Sequence, residues 1–132
     1  MFVVRMRPLR TVAYRVLIVD DQARLLRLLR ALLSSPEWSV CGEAMDGLDA
    51  VEKAKSLRPD LIIMDISMPR MDGVEATQII RKEVPETKVL ILSQNAPEVL
   101  ARQAAAANAH GYVSKSDVSE RLLILMNSIV AA

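Results

Sequence analysis

The chain alternates short unbroken apolar runs with longer stretches in which apolar residues return every three or four positions. VLIV at 16–19, the stretch 39–44, LIIM at 61–64, VLIL at 89–92 and GYV at 111–113 have strand length and carry turn or polar residues at their ends. Between them lie helix-period segments over 23–33, 48–57, 73–83, 96–107 and 118–130. In the first, Leu25, Leu26, Leu28, Leu29, Leu32 and Leu33 fall on one wide arc at 100° per residue, with Arg24, Arg27 and Arg30 opposite. Arg58-Pro59 closes the second helix and Pro85 stops the third. Asn95 and Glu98 have capping-box spacing ahead of the alanine-rich fourth, and Asn108 suits the left-handed position that ends it.

Five strand–helix pairs in alternation require right-handed crossovers and a parallel sheet covered on both faces. The apolar runs fit this, because strands buried on both sides read as continuous rather than alternating. The expected architecture is a doubly wound α/β domain over 14–132, preceded by a poorly ordered extension over 1–13 that carries Arg5, Arg7, Arg10 and Pro8.

Composition narrows the choices. With 132 residues, 52% hydrophobic and 25% charged, one globular domain with a single core is expected. A formal net charge of +1 gives the chain no bulk attraction to nucleic acid or anionic membrane. The one cysteine, Cys41, excludes an internal disulfide, and the one histidine, His110, leaves no Cys/His cluster for zinc. No apolar run approaches the ~20 residues that span a bilayer. A reduced, cytoplasmic setting is the expectation.

The candidate chemistry gathers at one place. In a doubly wound sheet the carboxyl ends of the strands form the functional edge. Here they carry Asp20 and Asp21 after the first strand, Asp65 after the third, Ser93 after the fourth and Lys115 after the fifth. Two adjacent aspartates can simply cap a helix. Three convergent carboxylates, however, repel by several kcal/mol at an effective dielectric near 20, and a divalent cation resolves that conflict. Oxygen ligands without His or Cys favour Mg²⁺ or Mn²⁺.

These residues lie in VLIVDD, PDLIIMDISMPRMDGVEAT, LS and AHGYVSK, in that order. With them, the chain after about Tyr14 resembles the receiver domain of two-component response regulators, in the branch that usually carries a helix-turn-helix DNA-binding output domain. The resemblance implies a flavodoxin-like (βα)5 fold. It implies that Asp65 accepts a phosphoryl group from a sensor histidine kinase, with Asp21, Asp65 and the backbone carbonyl of Ser67 binding the metal and Asp20 acting through metal-bound water. Lys115 and Ser93 would neutralise the phosphoryl oxygens, with Ser93 and Tyr112 forming the switch. The protein would be a phosphoacceptor rather than an enzyme, with DNA binding confined to an output domain absent from this chain. His110 gives the chain no obvious phosphohistidine of its own.

Independent chemistry agrees with these roles. Phosphoryl transfer needs in-line positioning and charge cancellation, and little covalent chemistry from the protein. Pro69 fixes φ and Gly73 permits an unusual one, so MPRMDG can fold back beside the site. On the last helix, Val118, Leu122, Leu125, Met126 and Ile129 form the core stripe, whereas Ile124 stands among Glu120, Arg121 and Ser128 and offers a homodimer contact.

Two departures from the family pattern stand out. Ser116 replaces a frequent proline, and Gln94 stands where a small residue usually leaves room for the phosphoryl group. Ser67 and Asn95, where family members tune hydrolysis, are small and polar. The competing readings are a receiver-like protein-binding module that is not phosphorylated, and a Mg²⁺-dependent aspartyl-phosphate phosphatase. The latter commonly has a second acid two residues after the nucleophile, and Ser67 occupies that place.

Overall fold

The computed structural model describes residues 12–132, so the expected N-terminal extension falls almost wholly outside the described residues. Five parallel strands form one sheet in the order β2-β1-β3-β4-β5. In chain order the elements are β1 (Tyr14–Val19), α1 (Ala23–Leu32), β2 (Trp38–Ala44), α2 (Gly47–Leu57), β3 (Leu61–Asp65), α3 (Gly73–Glu83), β4 (Lys88–Ser93), α4 (Pro97–Ala107), β5 (Gly111–Ser114) and α5 (Val118–Ala131). A short 3₁₀ turn, Lys115–Asp117, joins β5 to α5. This is the expected doubly wound, flavodoxin-like arrangement.

The sheet divides the core into two layers, as the unbroken apolar strands require. Leu17, Ile62 and Ile91 point to the side covered by α2, α3 and α4. Their neighbours Ile18, Ile63 and Leu90 point to the side covered by α1 and α5. A register shift between Val16 and Leu17 leaves Cys41 of β2 unpaired, which makes a bulge in the edge strand. Among the described residues no helix is long and apolar enough to cross a membrane.

Several local expectations need correction. β2 begins at Trp38 rather than residue 39, since Trp38 stacks near Tyr14 with ring centroids 5.5 Å apart and extends the pairing. The wide leucine arc of α1 is only partly covered: Leu26, Leu29 and Leu33 are buried, whereas Leu28 is exposed. The capping box at 95–98 does not form. Ala96 takes the N-cap position with Pro97 following, and the Asn95 side chain donates instead to Gln103 Oε1 at 2.8 Å. Asn108 does adopt the left-handed conformation, at φ 58.

The turn after β3 is also built differently. Gly73 does not have positive φ; the left-handed residue is Arg70, at φ 66. Glycine at 73 is required by proximity, because a Cβ there would lie 2.0 Å from the Asp65 carbonyl oxygen. The Gly73 N–H donates to the Ile66 carbonyl at 2.8 Å, closing the turn tightly behind the strand end.

Candidate functional site

Strand order reverses between β1 and β3, and that is where the acids meet. The register Val19↔Met64 sets the residues that follow, Asp20 and Asp65, beside each other at the carboxyl end of the sheet. Asp65↔Leu92 and Ser93↔Ser114 extend the same edge across β4 and β5 to Lys115. Carboxylate oxygens of Asp20, Asp21 and Asp65 all lie within 4.8 Å of one another. Asp20 and Asp65 are buried and Asp21 is exposed.

Neither aspartate of the DD pair caps α1. The N-cap position is Gln22, whose N–H donates to Asp20 Oδ1 at 2.8 Å. Asp20 is thereby aimed inward. Its Oδ2 lies 2.9 Å from Lys115 Nζ, and the same ammonium lies 3.2 Å from Asp65 Oδ1. Burial works against charge on Lys115, but the hydrogen bond it donates to Asp20 and the field of Asp65 outweigh it and raise its pKa. It therefore stays a cation.

Lys115 answers only part of the negative charge. Three carboxylates face one ammonium, and Asp65 Oδ2 is buried with no hydrogen-bond partner. Burial first, and then the Asp20 charge, push the Asp65 carboxyl up to about 6 against the opposing pull of Lys115. An all-oxygen, charge-rich and underneutralised site fits a hard divalent cation.

A cavity of about 190 Å³ opens over this cluster, lined by Asp21, Gln22, Asp65, Ser67, Gln94 and Lys115. A larger hollow of about 490 Å³ beside β2 and α2 includes neither Asp20 nor Asp65. Ser93 is buried at the end of β4, and its Oγ accepts the Asn95 N–H at 3.0 Å. Tyr112 is 44% exposed on β5 and lines a separate hollow with Pro97 and Leu100. All the residues expected at the site thus share one edge, except Tyr112, which stands to its side. Gln22, Asp46 and Arg70 were not singled out from sequence. Gln22 could have been, since it directly follows the acidic pair; nothing in the sequence links Asp46 to Arg70.

The whole of this edge is covered by a family match. Residues 16–127 match the family model for the response regulator receiver domain. The chain belongs to that family. As a receiver domain of two-component systems it has the family's general phosphoacceptor role, and such domains generally bind Mg²⁺ at an acidic pocket. It is 36% identical to the chemotaxis protein CheY of Thermotoga maritima, over 87% of this chain and 96% of that protein. It is 37% identical to a protein-glutamate methylesterase/protein-glutamine glutaminase of Pyrococcus abyssi, over 89% of this chain but only 33% of that longer protein. The response regulator domain of Thermotoga maritima CheB superposes with a TM-score of 0.84 at 33% identity, covering 91% of this receiver and 98% of that chain.

Proposed function

We propose that this receiver accepts a phosphoryl group on Asp65 from the phosphohistidine of a sensor kinase, in a Mg²⁺-dependent reaction, and that the modification switches an output domain or partner. The observation that carries this reading is Asp65 itself: a buried carboxylate with an unpartnered oxygen, set between two further acids and a lysine, at the floor of an open cavity. A purely structural acid would have its oxygens satisfied.

In the proposed reaction a carboxylate oxygen of Asp65 attacks phosphorus in line, forming an O–P bond as the P–N bond to histidine breaks. Asp21, Asp65 and the Ser67 carbonyl would hold the cation, with Asp20 acting through its bound water. The cation would cancel charge on a phosphoryl oxygen and offset the repulsion among the acids. Lys115, 3.2 Å from Asp65, would neutralise a second oxygen, and Ser93 would donate to a third after leaving its contact with the Asn95 N–H. The domain would act as a stoichiometric acceptor rather than an enzyme that turns over an external substrate. Ser67, two residues past the nucleophile, offers no acid to a leaving group and so disfavours a phosphatase.

Added charge of about −1.5 to −2 at Asp65 would draw the Ser93 hydroxyl toward it, with Tyr112 following. Homodimerisation through α5 around Ile124 would complete the switch, in a cytoplasmic setting. DNA binding, if coupled to it, would belong to an output domain in the helix-turn-helix branch to which Ser116 points.

Incubation with acetyl phosphate and Mg²⁺, followed by intact mass, tests the acceptor. One phosphoryl adduct is expected in the intact protein, and none with Asp65→Asn or without metal. A protein that binds Mg²⁺ but forms no adduct would instead support the non-phosphorylated binding module, with Gln94 at the cavity wall closing it to phosphoryl donors.

A further inference from the structure

The turn that carries Ser67 is gripped from outside the site. Arg70 has φ 66, in the left-handed region, where a residue with a Cβ costs about 1–2 kcal/mol and glycine does not. A side chain retained at such a position points to a use for it. The Arg70 guanidinium pairs with Asp46 Oδ2, in the loop between β2 and α2. Asp46 is fixed in its turn, because its Oδ1 accepts the Asp49 N–H at 2.9 Å and caps α2.

The two loops also touch through their backbones. A Cβ on Gly47 would lie 2.2 Å from the Met71 carbonyl oxygen. At its other end the turn is closed against Asp65 by Gly73. Ser67 lies between these two anchorages and lines the cavity with Asp21 and Asp65.

We propose that Arg70 and Asp46 are a positioning pair: by tying the 66–72 turn to the β2–α2 loop, they set where the Ser67 carbonyl stands and hence how tightly the acidic site holds a divalent cation. This rests on the cation reading given above and adds to it a determinant that lies outside the ligand set. The Arg70 side chain is 66% exposed, so solvent screens the pair and its effect is moderate. A loss of about three- to tenfold in cation affinity is expected, at or below the lower end of what outer-shell partners give elsewhere.

Calorimetric titration of the full chain with Mg²⁺ tests this, using the wild type, Arg70→Gly, Arg70→Lys, Asp46→Asn and the Asp46→Asn/Arg70→Gly pair. Glycine at 70 relieves the left-handed backbone while removing the guanidinium, so Mg²⁺ affinity falls although the melting temperature holds or rises. Asparagine at 46 keeps the helix cap and loses the charge, and should weaken binding to a similar degree. Lysine at 70 restores most of the affinity. The double variant is no weaker than either single one, because both act through one contact.

Unchanged affinity in Arg70→Gly and Asp46→Asn, beside a wild type that binds Mg²⁺, overturns the positioning pair and leaves the cation site standing. Additive losses, or a loss that simply follows a falling melting temperature, overturn it as well. A wild type that does not bind Mg²⁺ overturns the cation reading, and the pair with it.

Discussion

At the scale of single residues, two titrating groups oppose each other over the same pH range. Asp65 has its pKa raised to about 6, so in metal-free buffer the folded state takes up a proton that the unfolded chain does not hold until about pH 4. Between those values the folded state binds more protons, so this group's destabilising effect is full above pH 6 and disappears as pH falls toward 4. Asp65→Asn is therefore expected to raise the melting temperature by roughly 3–8 °C at pH 7.5, from about 1–2 kcal/mol after screening, and progressively less below pH 6. His110 has the opposite sign. Burial first, and then Arg81 and Lys88, lower its pKa, and its Nδ1 accepts the Val89 N–H at 3.0 Å, which requires the neutral ring. The unfolded chain protonates first, so stability present above the ordinary histidine pKa of about 6.5 is lost as pH falls through it. In the Asp65→Asn background this loss stands alone. Replacing His110 by Asn there is expected to flatten the thermal-melt profile between pH 7 and 5; an unchanged slope would assign the loss to another group. The site acids were legible in sequence because strand ends locate them. The bond to His110 Nδ1 was not, because it depends on a side-chain orientation that no spacing encodes.

At the scale of elements, strand and helix order was legible because burial on both faces leaves uninterrupted apolar runs, and proline marks where helices cannot continue. Contacts between distant segments were not legible. Gly73 illustrates the difference: its presence suggests backbone freedom, whereas it serves a close approach to the Asp65 carbonyl. Gly73→Ala must move either the β3 end or the α3 start, and a loss of about 2–3 kcal/mol in urea unfolding is expected, together with weaker Mg²⁺ binding. Full stability in that variant would show that the turn yields at little cost. Asn95 shows the same limit, since its capping role gives way to Gln103 eight residues further along α4. Arg58 provides a contrasting test. It ends α2 at φ 46, and its pair with Glu86 is exposed on both sides, at 60% and 58%. Relief of the left-handed strain exceeds what so screened a pair contributes, so Arg58→Gly is expected to stabilise by roughly 0.5–1 kcal/mol in the same unfolding experiment. A destabilised variant would show that the Glu86 pair or the lost side-chain packing matters more.

At the scale of the whole molecule, the question is how one modified carboxylate could reorganise a domain. Moving a two-state equilibrium from 1:99 to 99:1 takes about 5.5 kcal/mol of differential interaction. A charge-assisted hydroxyl contact from Ser93 to the proposed phosphoryl group would supply about 1.5–3 kcal/mol, so the isolated domain would shift only in part. In the proposed switch the remainder would come from association, and one surface of the fold suits it. β5 is the edge strand beside β4, Tyr112 is exposed on it, and α5 carries Ile124 at 72% exposure on the side away from the buried Leu122 and Met126. An isoleucine buried between two copies contributes about 1.5–3 kcal/mol, and an aspartate in its place must be desolvated as well. Phosphorylation with acetyl phosphate and Mg²⁺ is therefore expected to raise the dimer fraction in sedimentation equilibrium. Ile124→Asp should weaken the phosphorylated dimer at least about tenfold, with adduct yield unchanged because the site and α5 share no ligand. Its melting temperature is also expected to stay within about 2 °C of the wild type, since an exposed position carries little of the fold. An unchanged dimerisation constant would remove α5 from the interface and leave the missing free energy to a partner on another surface.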